Sequence, residues 1–142
     1  MWLNAKPEEV WPFLVEPEKK RQWLTELHEQ EWLDEGPVGI GMRFYVEKEI
    51  RGQVRRYDCV IERLEENRRF DFTAEVPGFS RLQAEWELVP EGEGCRFTMR
   101  EQINVQKANW LVDRLFVQPS ARRAVRGFLD ELKRLVERDA AQ

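Results

Sequence analysis

Apolar positions recur along this chain with two periods, and the places where one gives way to the other predict its elements. Trp2 to Ala5 form a very short apolar run. Pro7-Glu8-Glu9 follows, the proline suited to a first helical turn and the acids to its positive end. Val10, Phe13 and Leu14 then recur at helical spacing, Pro17-Glu18 restarts the pattern, and Trp23 and Leu24 close it. Two short consecutive helices are predicted, ending near residue 24.

From Thr25 onward the period changes. Gly36-Pro37 and Gly39-Ile40-Gly41 mark a turn, after which Met42, Phe44 and Val46 alternate with Arg43, Tyr45 and Glu47. Gly52 ends that strand, and a second run through Tyr57, Cys59 and Ile61 reaches the polar turn Glu65-Glu66-Asn67. Phe70, Phe72, Ala74 and Val76 alternate up to Pro77-Gly78. Leu82, Ala84, Trp86 and Leu88 follow, broken by Pro90 and Gly92-Glu93-Gly94. Cys95, Phe97, Met99, Glu101 and Ile103 complete the set. Such alternation means one buried and one wet face, with hairpins as the economical connections.

After Gln106 the pattern is helical again. Beyond Pro119, Ala121, Val125, Phe128, Leu132 and Leu135 make an apolar stripe flanked by Arg122, Arg123, Arg126, Lys133 and Arg134. This long helix must lie on the sheet. With no internal repeat or linker, residues 1–142 read as one α+β domain. Its layers are an antiparallel sheet of about six to seven strands and the helices.

Composition narrows the function. A chain of 142 residues has the size of one domain. The net charge of −4 argues against a general nucleic-acid binder, so no DNA partner is expected. No window approaches the ~20 apolar residues of a membrane span, and the start MWLNAKPEEV lacks the regions of a signal peptide. The expected compartment is the cytoplasm. Cys59 and Cys95 lack CxxC or Cys/His spacing and read as small core residues, so neither a metal nor a cofactor is expected.

The segment Asn4-Ala5-Lys6-Pro7-Glu8-Glu9-Val10-Trp11-Pro12-Phe13-Leu14, followed by Pro17-Glu18 and Gln22-Trp23-Leu24, resembles the opening of the START-like superfamily, also called polyketide cyclase/dehydrase and lipid transport proteins. The likeness continues in Gly36-Pro37-Val38-Gly39-Ile40-Gly41-Met42-Arg43-Phe44, and in Trp86-Glu87-Leu88 with Pro90 and Gly94. It closes in Leu129-Asp130-Glu131-Leu132-Lys133-Arg134-Leu135-Val136-Glu137. The resemblance implies a helix-grip fold, a curved sheet gripping the last helix with a cavity between. Two departures stand out: Lys6 replaces the first proline, and the strand before it is only Trp2 to Ala5 where relatives carry a longer one. A short first strand leaves part of the strand over residues 95–105 unpaired, so either a homodimer contact at that edge or a true start upstream is expected.

If the alternation holds, Phe44, Val46, Tyr57, Cys59, Phe70, Phe72, Leu82, Ala84, Trp86, Phe97 and Met99 face the terminal helix, which answers with Leu111, Leu115, Val125 and Phe128. These residues fill a core or line a ligand cavity, and the resemblance favours the cavity. Glu101 falls in phase with them, where a carboxylate is costly without a partner. It would anchor a ligand or act as an acid or base, unless a bulge turns it outward or an arginine pairs with it. Tyr57 and Arg63 share a face with Cys59 and Ile61 and could orient a carbonyl or carboxylate, although Arg63 near the strand end also suits solvent. Glu101 and Tyr57 are the catalytic candidates. His28, the single histidine, makes neither a metal site nor a triad. Gly36, Gly39 and Gly41 read as turn residues, and the arginine cluster at 122, 123 and 126 as a solvated face. Gly127 lies mid-helix, where close approach to the sheet or pocket room would explain it.

The expected function is binding of a small hydrophobic ligand, a lipid, isoprenoid, aromatic or polyketide-like molecule, in the cavity. An aromatase/cyclase type of enzyme, or a protein-interaction module of the same superfamily, are the alternatives. No nucleophile–base pair is legible, so binding ranks above catalysis.

Overall fold

Each of the first two helices starts on a proline, where a missing N–H leaves no bond unmade. α1 spans Pro7–Val15 and α2 Pro17–Trp23. The Lys6 N–H donates to Glu9 Oε2 at 2.8 Å and closes the first turn of α1. The Trp23 indole donates to the Phe13 carbonyl at 2.7 Å, which ties α2 to α1. The computed structural model describes residues 1–50, 52–76, 80–105 and 118–142. The expected helical stretch just after Gln106, with Leu111 and Leu115, lies outside the described residues.

The strands are β1 (Trp2–Leu3), β2 (Leu27–Trp32), β3 (Arg43–Ile50), β4 (Gln53–Glu65), β5 (Arg69–Val76), β6 (Ser80–Glu91) and β7 (Gly94–Val105). They form one antiparallel sheet in the order β1-β7-β6-β5-β4-β3-β2. β2 to β7 are a meander, and α1 with α2 carries the chain from one sheet edge to the other. The polar turn between β4 and β5 works because Asn67 accepts the left-handed backbone, with φ of 61°.

β2 lies where the sequence pattern predicts no element. Its inward positions are Leu27 and Gln30, three residues apart because a bulge falls between Leu27 and Glu29. The two-residue period that reveals a strand is therefore lost, and one of its two buried side chains is polar. A second bulge, between Ile61 and Arg63 on β4, corrects the expected face of Arg63. Leu64 pairs with Phe70 on the inner side, and Arg63 pairs with Asp71, turned away from Cys59 and Ile61. Its guanidinium meets Glu65 at 2.8 Å instead.

The inner face of β3 to β7 is buried as the alternation predicts: Phe44, Val46, Cys59, Ile61, Phe70, Phe72, Ala74, Leu82, Ala84, Trp86, Leu88, Cys95 and Phe97 join one core cluster. α3, Gln118–Ala140, closes that face. Its Leu132, Leu135 and Val136 are buried, and Phe128 and Leu129 pack against the cluster partly exposed. Both thiols are free and buried, and His28 pairs with Glu49 on the surface at 2.8 Å.

β1 pairs with Cys95 and Arg96 only, and the Met1 carbonyl accepts from the Phe97 N–H at 2.8 Å. Among the described residues no strand lies beside β7 beyond that point. Gly94 is what permits the crossing, since a Cβ there would collide with the Leu3 carbonyl oxygen. Gly127 differs from one expectation: a Cβ there meets open space, so close approach to the sheet does not account for it. Nothing in the structure explains this glycine.

Candidate ligand site between the sheet and the helices

α2 turns one cation of its Lys19-Lys20-Arg21 run inward. Lys20 stands three residues before Trp23 and four before Leu24, on the apolar side of the helix. It is 3% exposed. Its Nζ lies 5.0 Å from the ring centre of Phe70, 5.5 Å from Trp86, 5.6 Å from Phe44 and 5.9 Å from Phe72. These rings pack edge to face, Phe72 on Trp86 at 5.2 Å and Phe44 on Phe72 at 6.0 Å, so the cage is held by its own contacts.

One polar side chain meets the amine. Lys20 Nζ donates to Gln30 Oε1 at 3.0 Å, both groups buried. Because an ammonium only donates, this bond settles which end of the amide is oxygen. The opposite end, Gln30 Nε2, is buried without a partner, as is the indole Nε1 of Trp86. Burial lowers the Lys20 ammonium from its ordinary range to about 7, with Cys59 opposing and Lys48 reinforcing the change. Burial likewise pushes the Cys59 thiol up to about 12, so it is neutral at physiological pH and offers the amine no counter-charge. The four ring faces and the Gln30 oxygen compensate the charge in part, and none of them carries a counter-charge.

A void of about 30 Å³ remains beside the amine, lined by Lys20, Leu24, Leu27, Gln30, Phe44, Val46, Lys48, Phe72, Ala74, Trp86 and Glu101. That is room for one or two waters. Of the residues expected to face the terminal helix, Phe44, Val46, Phe72 and Trp86 reach this void, while Cys59, Phe70, Leu82, Ala84 and Phe97 are buried in the core. Tyr57, Met99 and Phe128 are partly buried against that core, and Val125 is half-buried. Burial raises the Tyr57 phenol above its ordinary range.

Glu101 stands at the rim. The β6–β7 register runs unbroken through Ala84↔Glu101, so no bulge turns it away, and it remains in phase with Phe97. It is nonetheless exposed, which corrects the expectation of a costly buried carboxylate. No arginine pairs with it among the described residues. Arg123 and Arg126 are exposed, and the side chain of Arg122 lies outside the described residues. Lys20 and Gln30 are absent from the sequence expectations altogether. A signal for Lys20 existed in its spacing to Trp23 and Leu24. Gln30, in a strand whose period is broken by a bulge, left none.

The seven-stranded sheet with the C-terminal helix packed into its core defines a helix-grip protein, and the void lies between that sheet and α2. The chain belongs to the polyketide cyclase/dehydrase and lipid transport family, whose pattern matches residues 3–137. Solved structures share the fold. TTHA0849 from Thermus thermophilus is 24% identical with a TM-score of 0.74, over 96% of this chain and 92% of that one. CV1439 from Chromobacterium violaceum is 19% identical with a TM-score of 0.74, over 96% and 93%. Ara h 8.0201 is 15% identical with a TM-score of 0.73, over 96% and 93%. At such identities the likeness is one of fold. No curated protein matches the chain. Among the described residues no helix is long and apolar enough to cross a membrane.

Proposed function

We propose that this protein binds a small hydrophobic molecule, of lipid, isoprenoid, aromatic or polyketide-like kind, between the sheet and its C-terminal helix. The observation that carries the reading is the void itself, bounded by aromatic rings on the inner face of the sheet. Ligand pockets are apolar with a few converging polar groups, and this one has that make-up. Pockets for such molecules measure about 300 Å³ or more. We read the void of about 30 Å³ as the deep end of such a site, with the ligand's body extending along the partly buried Tyr57, Met99 and Phe128. Burial of apolar surface, at roughly 25 cal/mol per Å², supplies most of the affinity.

The neutral dye N-phenyl-1-naphthylamine, bright only in apolar surroundings, tests this. Saturable binding is expected, reduced at least about tenfold (about 1.4 kcal/mol) in Ala74→Leu, whose added carbons fill the void. Circular dichroism checks that the variant stays folded. Absence of saturable binding, together with no small molecule retained in native mass spectrometry, would sink the proposal.

A further inference from the structure

Three kinds of hydrogen-bond donor belong to residues lining one void. Lys20 carries three N–H bonds and places Nζ on Gln30 Oε1 at 3.0 Å. Gln30 Nε2 and Trp86 Nε1 are buried and have no partner. Against these donors the described lining supplies few acceptors. Leu24, Leu27, Phe44, Val46, Phe72 and Ala74 have none in their side chains, and the Glu101 carboxylate is exposed at the rim. Buried donors are normally satisfied, because a donor taken out of water without a new partner loses its hydrogen bond and gains nothing in return. Donors of this number around one small volume specify an acceptor.

Charge decides what kind. A neutral carbonyl oxygen has two lone pairs and leaves the ammonium without a counter-charge among aromatic rings. An ionised carboxylate has about four lone-pair sites and neutralises the cation in the same volume. Pairing matters most where water is excluded, since an uncompensated buried charge is strongly destabilising. We infer that the deep end of the site receives an ionised carboxylate on a ligand whose body is apolar, and that Lys20, Gln30 and Trp86 hold it. This rests on the hydrophobic-ligand reading above and adds the head group to it.

The inference also fixes a pH dependence. The titratable groups around the amine among the described residues are Lys48 on β3, Cys59 on β4 and Glu101 on β7. Lys48 adds a second positive charge that attracts an acid, Glu101 repels one at the rim, and the neutral Cys59 contributes nothing near pH 7. Free Lys20 loses its proton as pH rises through about 7. Affinity for an acid is therefore greatest below that point and falls above it.

The test compares 2-naphthoate with 2-naphthamide, which share a ring system and differ in charge, beside N-phenyl-1-naphthylamine as the neutral reference. At pH 6.5 the wild-type chain is expected to bind the acid at least tenfold tighter than the amide. Lys20→Met is expected to bring acid and amide to equal affinity, and Trp86→Phe to weaken the acid severalfold through loss of one N–H. The preference shrinks between pH 7 and 9 in the wild type and is flat in Lys20→Met. Lys48→Gln lowers acid affinity without removing the pH dependence. Equal binding of acid and amide, with the dye still bound, overturns the acidic head group and leaves the apolar site standing. Failure of all three probes to bind overturns both readings. Should Lys20→Met not fold, Trp86→Phe and the wild-type pH profile decide the matter.

Discussion

Lys20 carries its charge into an interior of aromatic rings, and that placement has a cost that pH reveals. Its amine is held near 7 in the folded chain and returns to about 10.4 when the chain unfolds. Between those values the unfolded chain binds more protons, so this group makes stability rise with pH across the window. Below about 7 the full cost of the buried ammonium is present. Lys20→Met removes it. The variant is therefore expected to gain on the order of 2–4 kcal/mol at pH 6, with the gain shrinking toward pH 10. Urea unfolding of both chains at pH 6, 8 and 10 measures this, and a gain that ignores pH would contradict the buried charge. In sequence Lys20 is one of three adjacent cations, a pattern usual for a solvated face. Only its phase with Trp23 and Leu24 hints otherwise.

At the scale of elements, two glycines separate turn chemistry from packing. Gly94 opens β7 directly under β1, and any side chain there meets the Leu3 carbonyl. Gly94→Ala is expected to displace β1 and to cost about 2 kcal/mol or more. Gly127 faces open space in α3, so Gly127→Ala is expected to stabilise by up to about 1 kcal/mol through helix propensity. Thermal melts of the two variants should move in opposite directions; a fall in both would show that α3 needs its glycine. β3 to β7 were legible because each keeps its two-residue alternation for most of its length. β2 was not, since its bulge sets Leu27 and Gln30 three residues apart and mimics a helical period. The β4 bulge likewise moved Arg63 to the outer face, a change that no spacing in the sequence announces.

For the molecule as a whole, residues from β1, both short helices, the sheet and α3 meet in one core cluster. The 142 residues are therefore expected to unfold as one cooperative unit. Tryptophan fluorescence, which reports Trp23 and Trp86 in the core, and far-ultraviolet circular dichroism should give coincident transitions. A separate early melting of the helices would count against a single domain. The sequence by itself determined the α+β class, the inner faces of β3 to β7 and the stripe of α3, because periodicity is a property of neighbours along the chain. Tertiary structure alone decided that Lys20 from α2, Gln30 from β2 and Trp86 from β6 line one void. Those three residues are 10 and 56 positions apart, and no local rule relates them; they meet only because α1 and α2 cross between the sheet's edges and lay a helix against the inner face.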